Sequence, residues 1–259
     1  MIVNNLNPIL FESGFISIRW YGIFLAIGIL LSVLVLTKLL KKNNWTPDQT
    51  LDLSIWLIIG GLFGARMGEI LFYNFSYYWQ NPIEIFFINH GGLSSHGLTL
   101  GLIITFFAYC YYKKIKPLAI ADAVVVVVPL LATFIRLGNF FNSEIIGRVT
   151  GIPWGVYFMR AEQFPLLRHP VVLYEAVATL IIFIILYFVY KKYSNVWQPG
   201  SILCLLLFIY FLTRFVLEFF KEYQTSWEGI LTAGQWLSLP FIIFSICWLG
   251  WKLRKKYAI

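Results

Sequence analysis

Charge is what this sequence has least of. Only 12% of its 259 residues are Asp, Glu, Lys or Arg, about half the share of a typical soluble domain. Apolar residues make up 59% and fall in long blocks, so the chain reads as a polytopic membrane protein. Histidine is also scarce, with three in the chain. No His/Asp/Glu set is clustered as metal ligands would be, so neither a metal nor another cofactor is expected. No internal repeat is evident.

Seven apolar stretches are long enough to cross ~30 Å of hydrocarbon as helices. They run at about 18–37, 51–73, 94–112, 118–138, 171–190, 200–220 and 234–252. Backbone groups in lipid must be satisfied within their own segment, so helix is the expected form. The first stretch does not read as a cleaved signal peptide. It is too long, lacks a small-residue cleavage site and runs into Lys38, Lys41 and Lys42.

Basic clusters follow every second span. After Lys38, Lys41 and Lys42 come Lys113, Lys114 and Lys116 behind the third span, and Lys191 and Lys192 behind the fifth. Lys252, Arg254, Lys255 and Lys256 follow the seventh. The positive-inside rule puts these ends in the cytosol, the N-terminus outside and the C-terminus inside. Twelve of the twenty basic residues lie in these clusters, so the net charge of +8 is mainly a topological signal and does not call for nucleic acid. The expectation is an all-α protein with seven transmembrane helices and one integral membrane domain over 1–259. Its extracytoplasmic insertions fall at about 74–93 and 139–170. Cys110, Cys204 and Cys247 then lie in cytosolic parts of spans. They offer neither a disulfide framework nor an outward-facing nucleophile, and read as buried apolar filler.

The outer segments are uneven. NFSYYWQNPIEIFFINHGG has aromatics suited to the membrane interface, and its PIEIFF stretch suits a short surface helix. The segment 139–170 mixes polar and apolar residues with Gly151, Pro153 and Pro165, and is too apolar for a linker.

A charge inside a span is costly unless paired or hydrated. The candidates are Arg66, Glu69, Asp122, Arg136, Glu175, Arg214 and Glu218. In the expected topology all but Asp122 fall near the outer headgroups, and His96 enters its span at the same depth. Spacing pairs Arg214 with Glu218 at i, i+4 and Arg66 with Glu69 at i, i+3. Arg136 and Asn139 are also i, i+3 if the helix continues, and Glu144 and Arg148 are four apart. Singly, each has an ordinary reading: arginines near helix ends snorkel, and lone histidines are often hydrogen-bonded structure. Jointly they point to an anion site facing the outer leaflet. Guanidinium groups suit phosphate, and an anionic phospholipid headgroup is the ligand at that depth.

Rival classes fit less well. A lipid transporter or flippase, the alternative reading, places charges near the midplane and often has repeated halves. A scaffold tolerates one snorkelling arginine but has no use for a histidine and paired charges together. An intramembrane protease needs a nucleophile–base pair or two aspartates, and Asp122 stands alone in its span.

RLGNFFNSEIIGR at 136–148 resembles the signature of bacterial phosphatidylglycerol–prolipoprotein diacylglyceryl transferases. The resemblance covers nearly the whole chain in order. RWYGIF at 19–24, GARMGEILFYN at 64–74, GGLSSHG at 91–97, RHPVVLYE at 168–175, TRFVLEFFK at 213–221 and GQWLSLP at 234–240 resemble successive family motifs. Two departures are an LSSHGL histidine motif without an aromatic before the histidine, and Lys221 where an arginine is more common.

The resemblance implies transfer of the sn-1,2-diacylglyceryl group from phosphatidylglycerol to a lipobox cysteine of preprolipoproteins, with release of glycerol 1-phosphate. It implies a multi-pass protein of the bacterial cytoplasmic (inner) membrane whose active site faces the outer leaflet. Its partners are phosphatidylglycerol, lipobox signal peptides and the bilayer. Residue by residue, it implies that Arg136 binds the lipid phosphate while Asn139 and Glu144 orient headgroup hydroxyls or the arginines. Gly147 permits close backbone approach, and Arg214, held by Glu218, stabilises the leaving phosphate. Tyr21 and Tyr210 donate hydrogen bonds to the lipid, and His96 is the candidate base for the substrate thiol. Two versions of thiol activation stand: proton removal by His96, or arginine electrostatics alone. Arg148 has no assigned role.

Overall fold

A computed structural model describes residues 2–14, 16–87, 91–222 and 229–257, without the side chains of Ile16 and of 251–257. The basic cluster at 252–256 thus has side chains outside the described residues. The chain divides into two compact units, Met1–Leu36 with Ala121–Ile259, and Thr37–Ile120. It is mostly helical. Six helical stretches among the described residues are long and apolar enough to cross a membrane: Trp20–Asn43, Pro47–Phe72, Pro117–Phe141, Val171–Tyr193, Ser201–Phe220 and Ala233–Gly250.

In the unit Thr37–Ile120, α2 (Pro47–Phe72) starts at a capping box. Thr46 Oγ1 accepts from the Gln49 N–H at 3.2 Å, and the Thr46 N–H donates to Gln49 Oε1 at 2.9 Å. A short helix α3 (Phe75–Gln80) and a 3-10 turn (Pro82–Phe86) follow. The short surface helix expected for PIEIFF forms as this five-residue 3-10 helix. The expected third span forms α4 (Ser95–Tyr112), capped by Ser94 Oγ. At 18 residues it reaches only ~27 Å, and with a histidine at its start and three tyrosines in its last turn it is not among the six.

Helices α2 and α4 meet through glycines. Gly64 and Gly68 lie against Gly97, Gly64 also lies against Gly101, and Gly60 faces Thr105. Their four-residue spacing puts bare backbone on one face of each helix, which allows a closer approach than side chains would permit. This signal is present in the sequence but was not among the motifs read there.

The other unit holds α5 (Pro117–Phe141), α6 (Val171–Tyr193), α7 (Ser201–Leu217), α8 (Ala233–Tyr257) and the start of α1 (Trp20–Leu40). Asp122 has a structural task here. Its carboxylate accepts from the Gly200 and Leu203 N–H groups, both at 2.9 Å, and so caps α7. Thr133 and Thr179 hydroxyls meet at 3.0 Å between α5 and α6, and the rings of Phe211 and Phe241 stack at 4.2 Å between α7 and α8.

Short strands, absent from the all-α expectation, complete this unit. β1 (Ile2–Asn4) pairs parallel with β4 (Val156–Phe158), which pairs antiparallel with β5 (Leu167–Arg168). β2 (Ile9–Ser13) and β3 (Ile16–Arg19) form a hairpin. Strands of two to five residues are too short for alternation to register as a pattern. Asn4 ties the sheet to the end of α5, donating to the Phe140 carbonyl at 2.9 Å. Of the cysteines, Cys110 and Cys204 are buried as expected, but Cys247 is exposed.

The glycine contact gives a stability test. Gly64→Leu forces the two backbones apart and costs about 1–3 kcal/mol, lowering the unfolding midpoint of the purified protein by several degrees. Gly22→Ala, where the added carbon meets nothing, does not lower the midpoint. Equal midpoints for Gly64→Leu and wild type would show that the close approach is dispensable.

Candidate functional site

Arg136 sits near the end of α5, and the helix does continue through Asn139 to Phe141. The expected i, i+3 contact forms: Arg136 Nη1 donates to Asn139 Oδ1 at 3.2 Å. Two left-handed residues, Ser143 and Ile145 with φ of 56° and 55°, then reverse the chain. A positive φ is costly for a β-branched residue such as Ile145 and marks backbone held by its surroundings. The turn brings Glu144 back onto the helix end. Its N–H donates to the Asn139 carbonyl at 3.0 Å, and its carboxylate accepts from Asn139 Nδ2 at 2.5 Å and Asn142 Nδ2 at 3.1 Å. Asn139 thus links Arg136 to Glu144. Tyr21 is half-buried with its ring against Gly138.

A row of charges continues from Arg136. Its Nε lies 2.7 Å from Glu175 Oε2 on α6. Glu175 Oε1 lies 2.6 Å from Lys221 Nζ, which is also 3.3 Å from Glu218 Oε2. Glu175, Glu218 and Lys221 are all buried. The expected Arg214–Glu218 pair does not form. Past Leu217 the helix ends in a 3-10 turn at Glu218–Phe220, although the Glu218 N–H still donates to the Arg214 carbonyl as in an α-helix. Glu218 turns instead to Lys221 and lies over the bare Cα of Gly234. Arg214 is half-buried and forms no ion pair among the described residues. Tyr210, also half-buried, packs against Phe211.

The segment after Glu144 is threaded between two partners. Gly147 bridges to Lys221, and Val149 to Arg168. The Arg148 N–H donates to the Phe220 carbonyl at 2.8 Å, and its Nε to the Lys221 carbonyl at 2.7 Å. Glu144 and Arg148, four apart in sequence, therefore face different partners. A Cβ on Gly147 would collide with the His169 carbonyl, so close backbone approach is what this glycine provides. Arg168, missing from the sequence-based site, ties the network together. It donates to the Gly147 carbonyl at 2.9 Å and pairs with Glu162 and Glu222.

In the other unit, Arg66 does not pair with Glu69. Its guanidinium donates to the carbonyls of Glu84, Ile85, Phe87, Gly91 and Gly92, with the Tyr78 ring 4.8 Å away. A fork of five donors suits a loop presenting several carbonyls. Glu69 accepts from Asn74 Nδ2 at 2.7 Å. His96 is exposed at the start of α4, with Nδ1 2.9 Å from Tyr73 Oη. Tyr73 and Lys221 are partners that spacing alone did not identify, although both lie inside quoted motifs.

A family model described as prolipoprotein diacylglyceryl transferase matches residues 8–251. Among curated proteins, the phosphatidylglycerol–prolipoprotein diacylglyceryl transferase of Bacteroides fragilis is 40% identical, over 97% of this chain and 95% of its own length. Those of Tolumonas auensis and Chloroherpeton thalassium are 37% and 38% identical. They match 99% and 93% of this chain, and 99% and 91% of their own lengths.

The Arg168 network makes stability pH-dependent. Arg168 holds the Glu162 carboxyl below its ordinary 4.5, and burial pushes His169 below its ordinary 6.5. In both cases the unfolded chain binds the proton more tightly, so stability falls as pH drops. The His169 contribution is complete above about 6.5 and the Glu162 contribution above about 4.5, each being lost on the acid side. Unfolding midpoints from pH 8 to 4 should decline in that order. Glu162→Gln should flatten the decline below 4.5 only; an unaltered acid limb in that variant contradicts the assignment.

Proposed function

Because the chain belongs to the prolipoprotein diacylglyceryl transferase family, we propose the activity carried in its relatives' names, with the following detail. It moves the sn-1,2-diacylglyceryl group of phosphatidylglycerol to the thiol of a lipobox cysteine. The thiol sulfur attacks the glyceryl carbon that bears the phosphate. A carbon–sulfur bond forms, the carbon–oxygen bond breaks, and glycerol 1-phosphate leaves with the electron pair. The observation that carries this reading is likeness over nearly the full length of both chains.

The Arg136 row supports a lipid-phosphate role. Glu175 lies at ion-pair distance from Nε and Asn139 accepts from Nη1, while Nη2 makes no hydrogen bond among the described residues. A guanidinium fixed in this way offers its remaining edge to a phosphate oxygen at little further entropic cost. Asn139 and Glu144 order that guanidinium, Gly147 brings the following strand close, and Tyr21 and Tyr210 donate to the lipid. Arg214 takes the charge that grows on the leaving phosphate. His96 takes the thiol proton; in the tautomer whose Nδ1–H donates to Tyr73 Oη, Nε2 is the acceptor. A thiol with a pKa of about 8.5 needs such help near neutral pH.

The membrane reading has seven spans, with α4 as the third, the N-terminus outside and the C-terminus cytosolic. The site then faces the outer leaflet of the cytoplasmic membrane. The glycine contact of α4 with α2 supports a membrane helix, since bare faces of this kind are how helices associate in lipid. A transporter or flippase gains no support from charges held in polar chains at helix ends.

Incubation with phosphatidylglycerol and a lipobox peptide should add one diacylglyceryl unit to the peptide cysteine and release glycerol phosphate, both read by mass spectrometry. No reaction from folded protein would falsify the transferase reading. Arg136→Ala should weaken phosphatidylglycerol binding about 10–100-fold, the value of a charge-assisted hydrogen bond; unchanged lipid affinity rules out the phosphate contact. His96→Gln should lower transfer about 100-fold or more and remove the basic-limb pH dependence. High activity with the wild-type pH profile would leave thiol activation to the arginines.

A further inference from the structure

Two carboxylate oxygens in the charge row accept no hydrogen bond among the described residues: Oε2 of Glu175 and Oε2 of Glu218. Both atoms are buried, in side chains only 9% and 6% exposed. Each lies near a cation, Arg136 Nε at 2.7 Å and Lys221 Nζ at 3.3 Å, but without hydrogen-bond geometry. Lys221 sits between them, 2.6 Å from the other Glu175 oxygen. Gly234 leaves room for the Glu218 carboxylate where any side chain would collide with it.

A buried carboxylate oxygen with an unused lone pair calls for a donor. The neighbours restrict its kind. An ammonium group is opposed by Lys221 and Arg136, which already flank the pair. An acceptor-only group is repelled by the carboxylates. A neutral hydroxyl satisfies both limits. The phosphatidylglycerol headgroup carries two hydroxyls beyond its phosphate, on a three-carbon chain short enough to stay near a phosphate held at Arg136.

We propose that Glu175 and Glu218, spaced by Lys221, accept the glycerol hydroxyls of the donor lipid and so select a polyol headgroup. This rests on the transferase reading above, with Arg136 on the phosphate. A site built to bind a hydroxyl rejects the analogue that lacks it, because its own buried groups are then left unpaired. Lys221 keeps the two carboxylates ionised and apart, and sets their spacing without touching the lipid.

The test compares phosphatidylglycerol with phosphatidylpropanol, which has the same phosphate and carbon count but no headgroup hydroxyls, as donors to a lipobox peptide. Wild type should prefer phosphatidylglycerol by about 100-fold or more in kcat/KM. Glu175→Gln and Glu218→Gln should each cut the phosphatidylglycerol value at least about tenfold more than they cut the phosphatidylpropanol value, so the preference narrows. Inhibition of wild type by glycerol 1-phosphate and propyl phosphate needs no variant, and glycerol 1-phosphate should be the stronger by about tenfold or more. Equal use of both lipids by wild type, equal inhibition by both phosphates, or folded variants that lose both donors in parallel each overturn the proposal. A wild type that transfers from neither lipid instead defeats the transferase reading.

Discussion

A charge buried away from water has to be answered by an opposite charge or by dipoles within hydrogen-bonding distance, and both units are organised by that requirement. Arg66 is answered by loop carbonyls, which fixes the chain around residues 84–92. Arg136, Glu175, Lys221 and Glu218 answer one another in a row. The first link ties α5 to α6, the second ties α6 to the turn after α7, and the third closes within that turn. Removing Lys221 strands the buried Glu218 carboxylate, at a cost of about 3–5 kcal/mol. The residues that would meet the lipid are therefore also the ones that hold these helix ends in place.

The support beneath the row is backbone. The stretch from Arg136 to Arg148 begins as helix, reverses through Ser143 and Ile145, and ends between two partners, residues 220–221 on one side and 168–169 on the other. Main-chain hydrogen bonds on both sides leave it little freedom, and Arg148 contributes its guanidinium to the Lys221 carbonyl. Asn4 adds a second tie through the Phe140 carbonyl. A turn with positive φ at two non-glycine residues persists only under such restraint. The gain is that Glu144 reaches back to Asn139, and Asn139 to Arg136.

Which parts were legible in the sequence follows from the range of the interactions. Long apolar runs announced the six helices apolar enough to cross a membrane, and α4, with its polar ends, was the marginal case. The Arg136–Asn139 contact was legible because both residues share one continuous helix. The same spacing argument failed for Arg66–Glu69, where nearby loop carbonyls outcompete the carboxylate. It failed for Arg214–Glu218, where the 3-10 turn after Leu217 brings Lys221 within reach of Glu218. Lys221 and Arg168 each take one partner distant in sequence, Glu175 and Glu222, and no local pattern carries that information. The two- and three-residue strands were invisible for the opposite reason, being too short to form a pattern at all.

Charge counting limits how the proposed site can work. Arg136 and Lys221 stand against Glu175 and Glu218, with Glu144 joined through Asn139. The row therefore carries no surplus of positive charge, and a phosphodiester seated on Arg136 gains from one open guanidinium edge rather than from a cationic field. During the reaction the phosphate goes from a diester with about one negative charge to a monoester approaching two. The cation suited to that change is Arg214, the half-buried arginine that has no carboxylate among the described residues. On the proposed mechanism the row would bind the ground state modestly and Arg214 would pair better as the carbon–oxygen bond breaks, so that stabilisation falls in the transition state. Differential binding of this kind raises turnover, whereas a uniformly cationic pocket would only tighten the lipid.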